Sequence, residues 1–206
     1  MENKELFNLV KTIRNIARKD GVNSIAIDKL EANPMVENKV LKKHFSDDKQ
    51  IAEEIFKNEQ AVFEKIFQEE NFENNNSIDM LLAVSRLIAK NFSYLTPALY
   101  HHYQIKYPEI FQSYFNNRAE SVFNRIRENL VNGMQQGYYR NDVSIELVAR
   151  GYISRLIDLY NPANFPAEDF SFDTFFNQMF ETFVMSIVTD KGKHYWQKKK
   201  KQPLKP

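Results

Sequence analysis

Apolar residues recur at intervals of three and four along nearly the whole chain, a spacing that places them on one side of a helix and leaves no convincing strand. Only five glycines and seven prolines interrupt 206 residues, so the breaks between helices are few and can be located. The expectation is an all-α protein of about nine helices. A first helix over 5–19 carries Leu6, Leu9, Val10, Ile13, Ile16 and Ala17 on one stripe, and Asp20-Gly21 ends it. Asn23 or Ser24 then caps a short helix. Longer helices follow at about 48–70, 78–92, 109–136, 144–159 and 173–189, with a short one around 98–103 between Pro97 and Pro108. The polar stretch 69–77, the turn 137–142 and the loop 161–169 separate them.

Within this frame, residues 26–45 read as two short helices joined by a tight turn. Ile27 and Leu30 lie three apart on one helix, Val36, Val40 and Leu41 supply the facing surface of the next, and Lys39, Lys42 and Lys43 remain outward. Ser46-Asp47 then offers side-chain oxygens to cap the fourth helix. A helix-turn-helix of this kind can lay its second helix in the major groove of DNA. The same lysines would also suit an ordinary solvated helix face.

Residues 26–45 resemble, without a gap, the signature of the tetracycline-repressor-like (TetR) family of bacterial regulators. Ile27, Leu30, Val36, Leu41, His44 and Phe45 occupy its framework positions. A looser family phrase is matched from Arg127 to Arg140, with Leu130, Gly133 and Gly137 in place. The departures fall on the DNA-facing positions. Met35, preceded by Pro34, stands for the turn glycine, Glu37 for a capping serine, Lys42 for a phosphate-contacting tyrosine, and Asp48 for the lysine that opens the fourth helix.

The resemblance implies a three-helix DNA-binding head over 1–47, a larger helical effector-binding and dimerisation domain over 48–190, and a basic, flexible tail over 191–206. It implies a homodimeric transcription regulator, a repressor released from its double-stranded DNA operator by a small apolar or aromatic effector. The DNA-contacting set it suggests is Ser24, Glu37, Asn38, Lys39, Lys42, Lys43, His44 and Lys49. For the effector it suggests Phe63, Phe67, Arg86, Phe92, Tyr100, His101, Tyr103, Tyr107, Phe111, Tyr114 and Arg118. For the dimer it points to the last two helices, with Tyr152, Leu156, Phe175, Phe176, Met179, Phe180, Phe183 and Ile187, a face too broad for one neighbour. The alternative is a diverged protein that keeps the fold but serves as a ligand-binding or protein-interaction module without touching DNA.

Charge is distributed unevenly. Residues 1–50 hold ten cations against eight anions, 51–190 hold eleven against nineteen, and 191–206 hold seven against none. An acidic body with basic ends suits a protein that meets nucleic acid at one end. Catalysis is not expected: there is no phosphate-binding glycine loop, no Gly-x-Ser-x-Gly elbow and no cysteine, and none of the four histidines follows a Glu by three residues. No catalytic residue, metal site or cofactor is therefore assigned. Without an apolar run of membrane-spanning length or a leader-like start, a cytoplasmic protein with no membrane partner is the simplest expectation.

Overall fold

A computed structural model of the chain describes residues 2–69, 76–92, 97–158 and 172–201. Those residues are all-helical: α1 (Glu2–Asp20), α2 (Ile27–Glu31), α3 (Asn38–His44), α4 (Asp48–Glu69), α5 (Ser77–Phe92), α6 (Pro97–Lys106), α7 (Pro108–Gln135), α8 (Ile145–Asp158), α9 (Phe172–Ile187) and α10 (Asp190–Lys200), with a 3-10 turn at Val22–Ile25. The periodicity located nine of these to within a few residues. The expected loop at 161–169 lies outside the described residues, as does most of the polar stretch 69–77.

The head forms where α1 packs on α3 and α4. Its core is Leu9, Val10, Ile13, Ile16, Ile25, Leu30, Val36, Leu41 and Phe45. Gly21, at φ 84°, stops α1 in the left-handed conformation that glycine adopts without steric cost. The fourth helix begins as its sequence suggests: Asp47 Oδ1 accepts from Gln50 N–H (2.9 Å) and Gln50 Oε1 from Ser46 N–H (2.8 Å), a reciprocal capping box. Ser24 does not cap α2; it lies in the 3-10 turn and its hydroxyl donates to Gly21 O. The vacant role is taken by Asp48, whose Oδ1 accepts the Ile27 N–H at 2.7 Å.

The body is built around α7, which touches α4, α5, α6 and α8. Its C-terminal end explains the two matched glycines. Gly137 takes φ 72°, and the Tyr139 ring folds back so closely on Gly133 that a Cβ there would collide with its Cδ2 and Cε2. Tyr139 is buried, and its hydroxyl donates to Asn129 Oδ1 (2.9 Å). Arg140 N–H bonds Ile187 O (2.8 Å) and Thr189 N–H bonds Tyr138 O (2.9 Å), pinning this turn to the end of α9.

Positions 202–206 lie outside the described residues, and over 191–200 the tail expected to be flexible is instead helical, as α10. Thr189 caps it, accepting from Gly192 N–H at 3.1 Å, and Trp196 is buried with its ring 5.9 Å from that of Phe180. Two lysines of the run meet the acidic body: Lys200 meets Glu181 at 2.6 Å and Lys199 meets Asp79 at 3.6 Å, while Tyr195 OH donates to Asp79 Oδ2 (2.7 Å). A tryptophan on the apolar side of a short basic helix supplies the burial that the lysines cannot.

Gly133→Ala would force the Tyr139 ring out of its slot and should lower stability by about 3 kcal/mol, the upper range for overpacking. Denaturant melts of the two proteins measure it; an unchanged midpoint would contradict the packing described. Truncating Trp196 to Ala should cost a similar ~3 kcal/mol and loosen α10, seen as faster amide exchange over 190–200.

Candidate nucleic-acid interface and ligand cavity

The turn between α2 and α3 is made without glycine. Asn33 Oδ1 accepts Met35 N–H (2.9 Å) and Asn33 O accepts Val36 N–H (3.1 Å), an Asx turn that keeps every described non-glycine residue out of the left-handed region. Pro34 and Met35 stand exposed at its tip, Met35 to 61%. This geometry answers the missing turn glycine: the asparagine side chain does what a positive φ would otherwise do.

On the outer side of α3, Glu37, Lys39, Lys42 and Lys43 are exposed, as is Lys49 at the start of α4. Lys42 lies 3.3 Å from Glu31 and Lys43 3.0 Å from Glu5, surface pairs that DNA phosphates can displace at little cost. The hydrogen bond from Lys43 holds the Glu5 carboxyl below the usual range. Three expected DNA-contacting residues are instead engaged within the head. Ser24 bonds Gly21, Asn38 Nδ2 donates to Glu31 O at the end of α2 (2.9 Å), and the His44 ring, 12% exposed, places Nε2 3.3 Å from Glu5.

Asp48, where the signature has lysine, clasps head to body. Besides capping α2 it meets Lys106 of α6 at 2.7 Å. Burial pushes its carboxyl up, yet the hydrogen bonds from Lys106 and Ile27 N–H outweigh this and leave it below the ordinary aspartate value.

The body holds a partly open apolar cavity of about 110 Å³ lined by α4 to α9. Six of the eleven expected effector residues line it: Phe63, Phe67, Phe92, Tyr100, Tyr114 and Arg118. The other five do not. Arg86 Nη2 donates to Lys200 O (3.1 Å) and holds α10; Phe111 packs on Phe56 with ring centres 6.1 Å apart; Tyr103 and Tyr107 face a small cleft at the head–body junction; and His101 lies away from the cavity wall.

The α8–α9 face also differs from expectation. Tyr152, Leu156, Phe176, Phe180 and Phe183 point into the cavity, and Met179 and Ile187 are buried within the chain's own core. Phe175 is half-buried beside a shallow outer depression with Arg155, Gln178 and Thr182. The aromatic stripe is broad because it encloses a cavity. Periodicity marks a buried face and cannot say what buries it.

Sequence reading missed Glu59, and with it the centre of the site. It lies on the α4 stripe four residues after Ile55 and four before Phe63, the signal that could have revealed it. Its side chain is fully buried and accepts hydrogen bonds at Oε2 from Tyr100 OH (2.7 Å) and Tyr114 OH (3.1 Å), both cavity-lining. Arg14 of α1 acts on it electrostatically while Arg14 Nη1 donates to Asn58 Oδ1 (2.6 Å). Burial pushes the Glu59 carboxyl above the ordinary range, against the opposing pull of Arg14, the two tyrosines and Arg118. One carboxylate thus joins the head, the connecting helix and the cavity wall.

Among the described residues no group of three His, Asp or Glu could hold a metal ion, and no helix is long and apolar enough to cross a membrane.

No family model and no curated protein matches the chain. Two solved structures share its fold over nearly its full length. A protein from Saccharomonospora viridis described as a putative transcriptional regulator, in complex with choline, superposes with a TM-score of 0.66 at 14% identity, covering 91% of this chain and 99% of that one. The ketosteroid transcriptional regulator KstR2 of Mycobacterium tuberculosis superposes with a TM-score of 0.54 at 14% identity, covering 92% and 96%. The chain therefore has the TetR-like fold, as the signature at 26–45 implied.

Because the fold favours the protonated Glu59, the stability this group contributes is complete below its unfolded value of 4.5 and is lost as pH rises through the folded value. Relative to Glu59→Gln, which cannot titrate, the native protein should lose thermal stability between about pH 4.5 and neutrality. Melting temperatures of both across that range test it; a difference independent of pH would show that the carboxyl is not displaced upward.

Proposed function

We propose that the chain is a dimeric DNA-binding transcriptional regulator, a repressor whose hold on an operator is released by a small molecule in the body cavity. The observation that supports this best is the Glu59 junction. Tyr100 and Tyr114 line the cavity and bond one oxygen of a carboxylate on which Arg14, on the first helix of the head, acts electrostatically. A ligand that displaces either tyrosine alters the group against which the head rests. Release requires that the effector prefer the head arrangement unable to bind DNA; one indifferent to it would shift nothing.

In this reading Lys39, Lys42, Lys43 and Lys49 supply phosphate contacts, and Glu37 faces base edges, where a carboxylate can accept from a cytosine amine. Two heads in a homodimer would address successive major grooves about 34–36 Å apart. The dimer would form through the outer sides of α8 and α9 around Leu147, Phe175 and Thr182, since their inner sides are occupied; Leu147 is 73% exposed. The second reading, an interaction or ligand-binding module without DNA affinity, draws support from Asp48 at the lysine position and from the α3 lysines that already meet Glu31 and Glu5.

Fluorescence anisotropy with duplexes from the promoter of the chain's own gene, repeated over a salt series, separates the two. Specific binding should weaken in Lys42→Ala and in Lys43→Ala, with the log–log salt slope shallower by about 0.9 for each phosphate no longer neutralised. Salt-independent or absent binding to every duplex tested would favour the module.

A further inference from the structure

The cavity wall carries a guanidinium with an unmet donor. Arg118 of α7 places its guanidinium carbon 3.3 Å from the centroid of the Phe63 ring and 4.8 Å from that of Phe92, and its Nη1 is buried with no hydrogen-bond partner among the described residues. A guanidinium carries five donors in a planar fork, and leaving a buried one unpaired is costly. The neighbouring charges are already engaged. Glu59 is bonded by two tyrosines and lies in the field of both Arg14 and Arg118, and Arg125, 4.8 Å above the Phe67 ring, meets Glu64 at 3.8 Å. The rest of the wall is mainly aromatic and aliphatic, with Leu81, Ile88, Phe176 and Phe180 among its residues and Ser85, Arg125 and Asn129 as its polar ones.

These observations discriminate among ligand classes. A quaternary ammonium would be repelled by the Arg118 guanidinium, which already covers the rings of Phe63 and Phe92. A neutral apolar molecule would fill the space but leave Nη1 unpaired. A carboxylate supplies the two in-plane oxygens that a guanidinium binds best, and a dry aromatic site strengthens the pairing. The volume, about 110 Å³, is near that of a roughly 150 Å³ apolar cavity able to take one benzene, so the apolar part is a single ring or a short acyl chain.

We infer that the effector is an amphipathic monocarboxylate, its acid end on Arg118 and its apolar end against α5 and α9. This rests on the regulator reading above and specifies the ligand of the same cavity.

The chain's one tryptophan provides the readout, since Trp196 packs against Phe180 of the cavity wall. Titrations of the full chain with octanoate, phenylacetate, octanol and choline, followed by Trp196 emission and by calorimetry, test the assignment. At least one of the two carboxylates should bind about tenfold or more tighter than octanol, and choline should not bind. The better of octanoate and phenylacetate tells whether the apolar part is a chain or a ring. In Arg118→Met the carboxylate preference should vanish while octanol binding persists; Arg118→Lys should retain part of it. Equal affinity for octanol and octanoate in the native protein, tighter binding of choline, or binding of none of the four overturns the inference, even if Arg118→Met fails to fold. Operator binding measured in parallel keeps the two proposals apart. Carboxylate preference without DNA binding would remove the regulator reading alone, and DNA binding without carboxylate preference would remove this one alone.

Discussion

A carboxylate in the middle of an apolar helix stripe governs how the two halves of this protein meet. Glu59 is buried on α4 between Ile55 and Phe63, and a buried carboxyl must find donors or lose its charge. It finds Tyr100 from α6 and Tyr114 from α7, 41 and 55 residues away, and it lies in the field of Arg14 from α1. Tyr100 and Tyr114 are thereby drawn to one oxygen, beside the Phe56 ring of α4 that both also meet. The same tyrosines form part of the cavity wall, so the space inside the body and the seat of the head are bounded by common atoms. A change in one has a direct physical route to the other.

The head shows how a helix-turn-helix frame can be kept while its usual residues are replaced. Asn33 folds the turn through its own side chain where a glycine would use a positive φ, and Asp48 caps α2 from across the domain where a local serine would cap it. Both replacements keep orphan backbone donors satisfied, which is the requirement the original residues met. They also change the electrostatics. Asp48 puts a negative charge at the start of α4, and Glu31 and Glu5 sit beside the lysines of α3. The cationic face is therefore more finely balanced than a count of lysines suggests, and the basic end of the chain is balanced too, by Asp79 and Glu181.

Much of the fold was legible before any coordinates. The Ser46-Asp47 start of α4, the glycine stop after α1 and the apolar stripe of α1 follow from interactions within a few residues of each other. The site was legible in part. Aromatic residues of α4 to α7 were recognised as a group, but Tyr103, Tyr107 and Phe111 belong to other clusters, because a helix presents neighbours to different sides about every 100°. Glu59 was overlooked for the opposite reason: an acidic residue among apolar ones reads as an interruption of the stripe until its distant partners are seen. The last helix was hidden by its lysines. Trp196 and Gly192 anchor it, Gly192 fitting so tightly against Tyr138 O that a Cβ would collide there.

Helix positions, caps and stops were determined by the sequence itself, since backbone bonds from one residue to the fourth before it and side-chain caps act over a single turn. The destination of each buried face was decided only in three dimensions. The α9 stripe could have served a second subunit, a solid core or a cavity, and the periodic pattern is the same for all three. The choice came from how Tyr152 of α8 meets Phe183 of α9 and Phe180 of α9 meets Trp196 of α10, contacts that exist only after the chain has closed on itself. The buried guanidinium of Arg118 belongs to the same category: an arginine is ordinary in a sequence, and becomes informative when the rings and carboxylates around it are known.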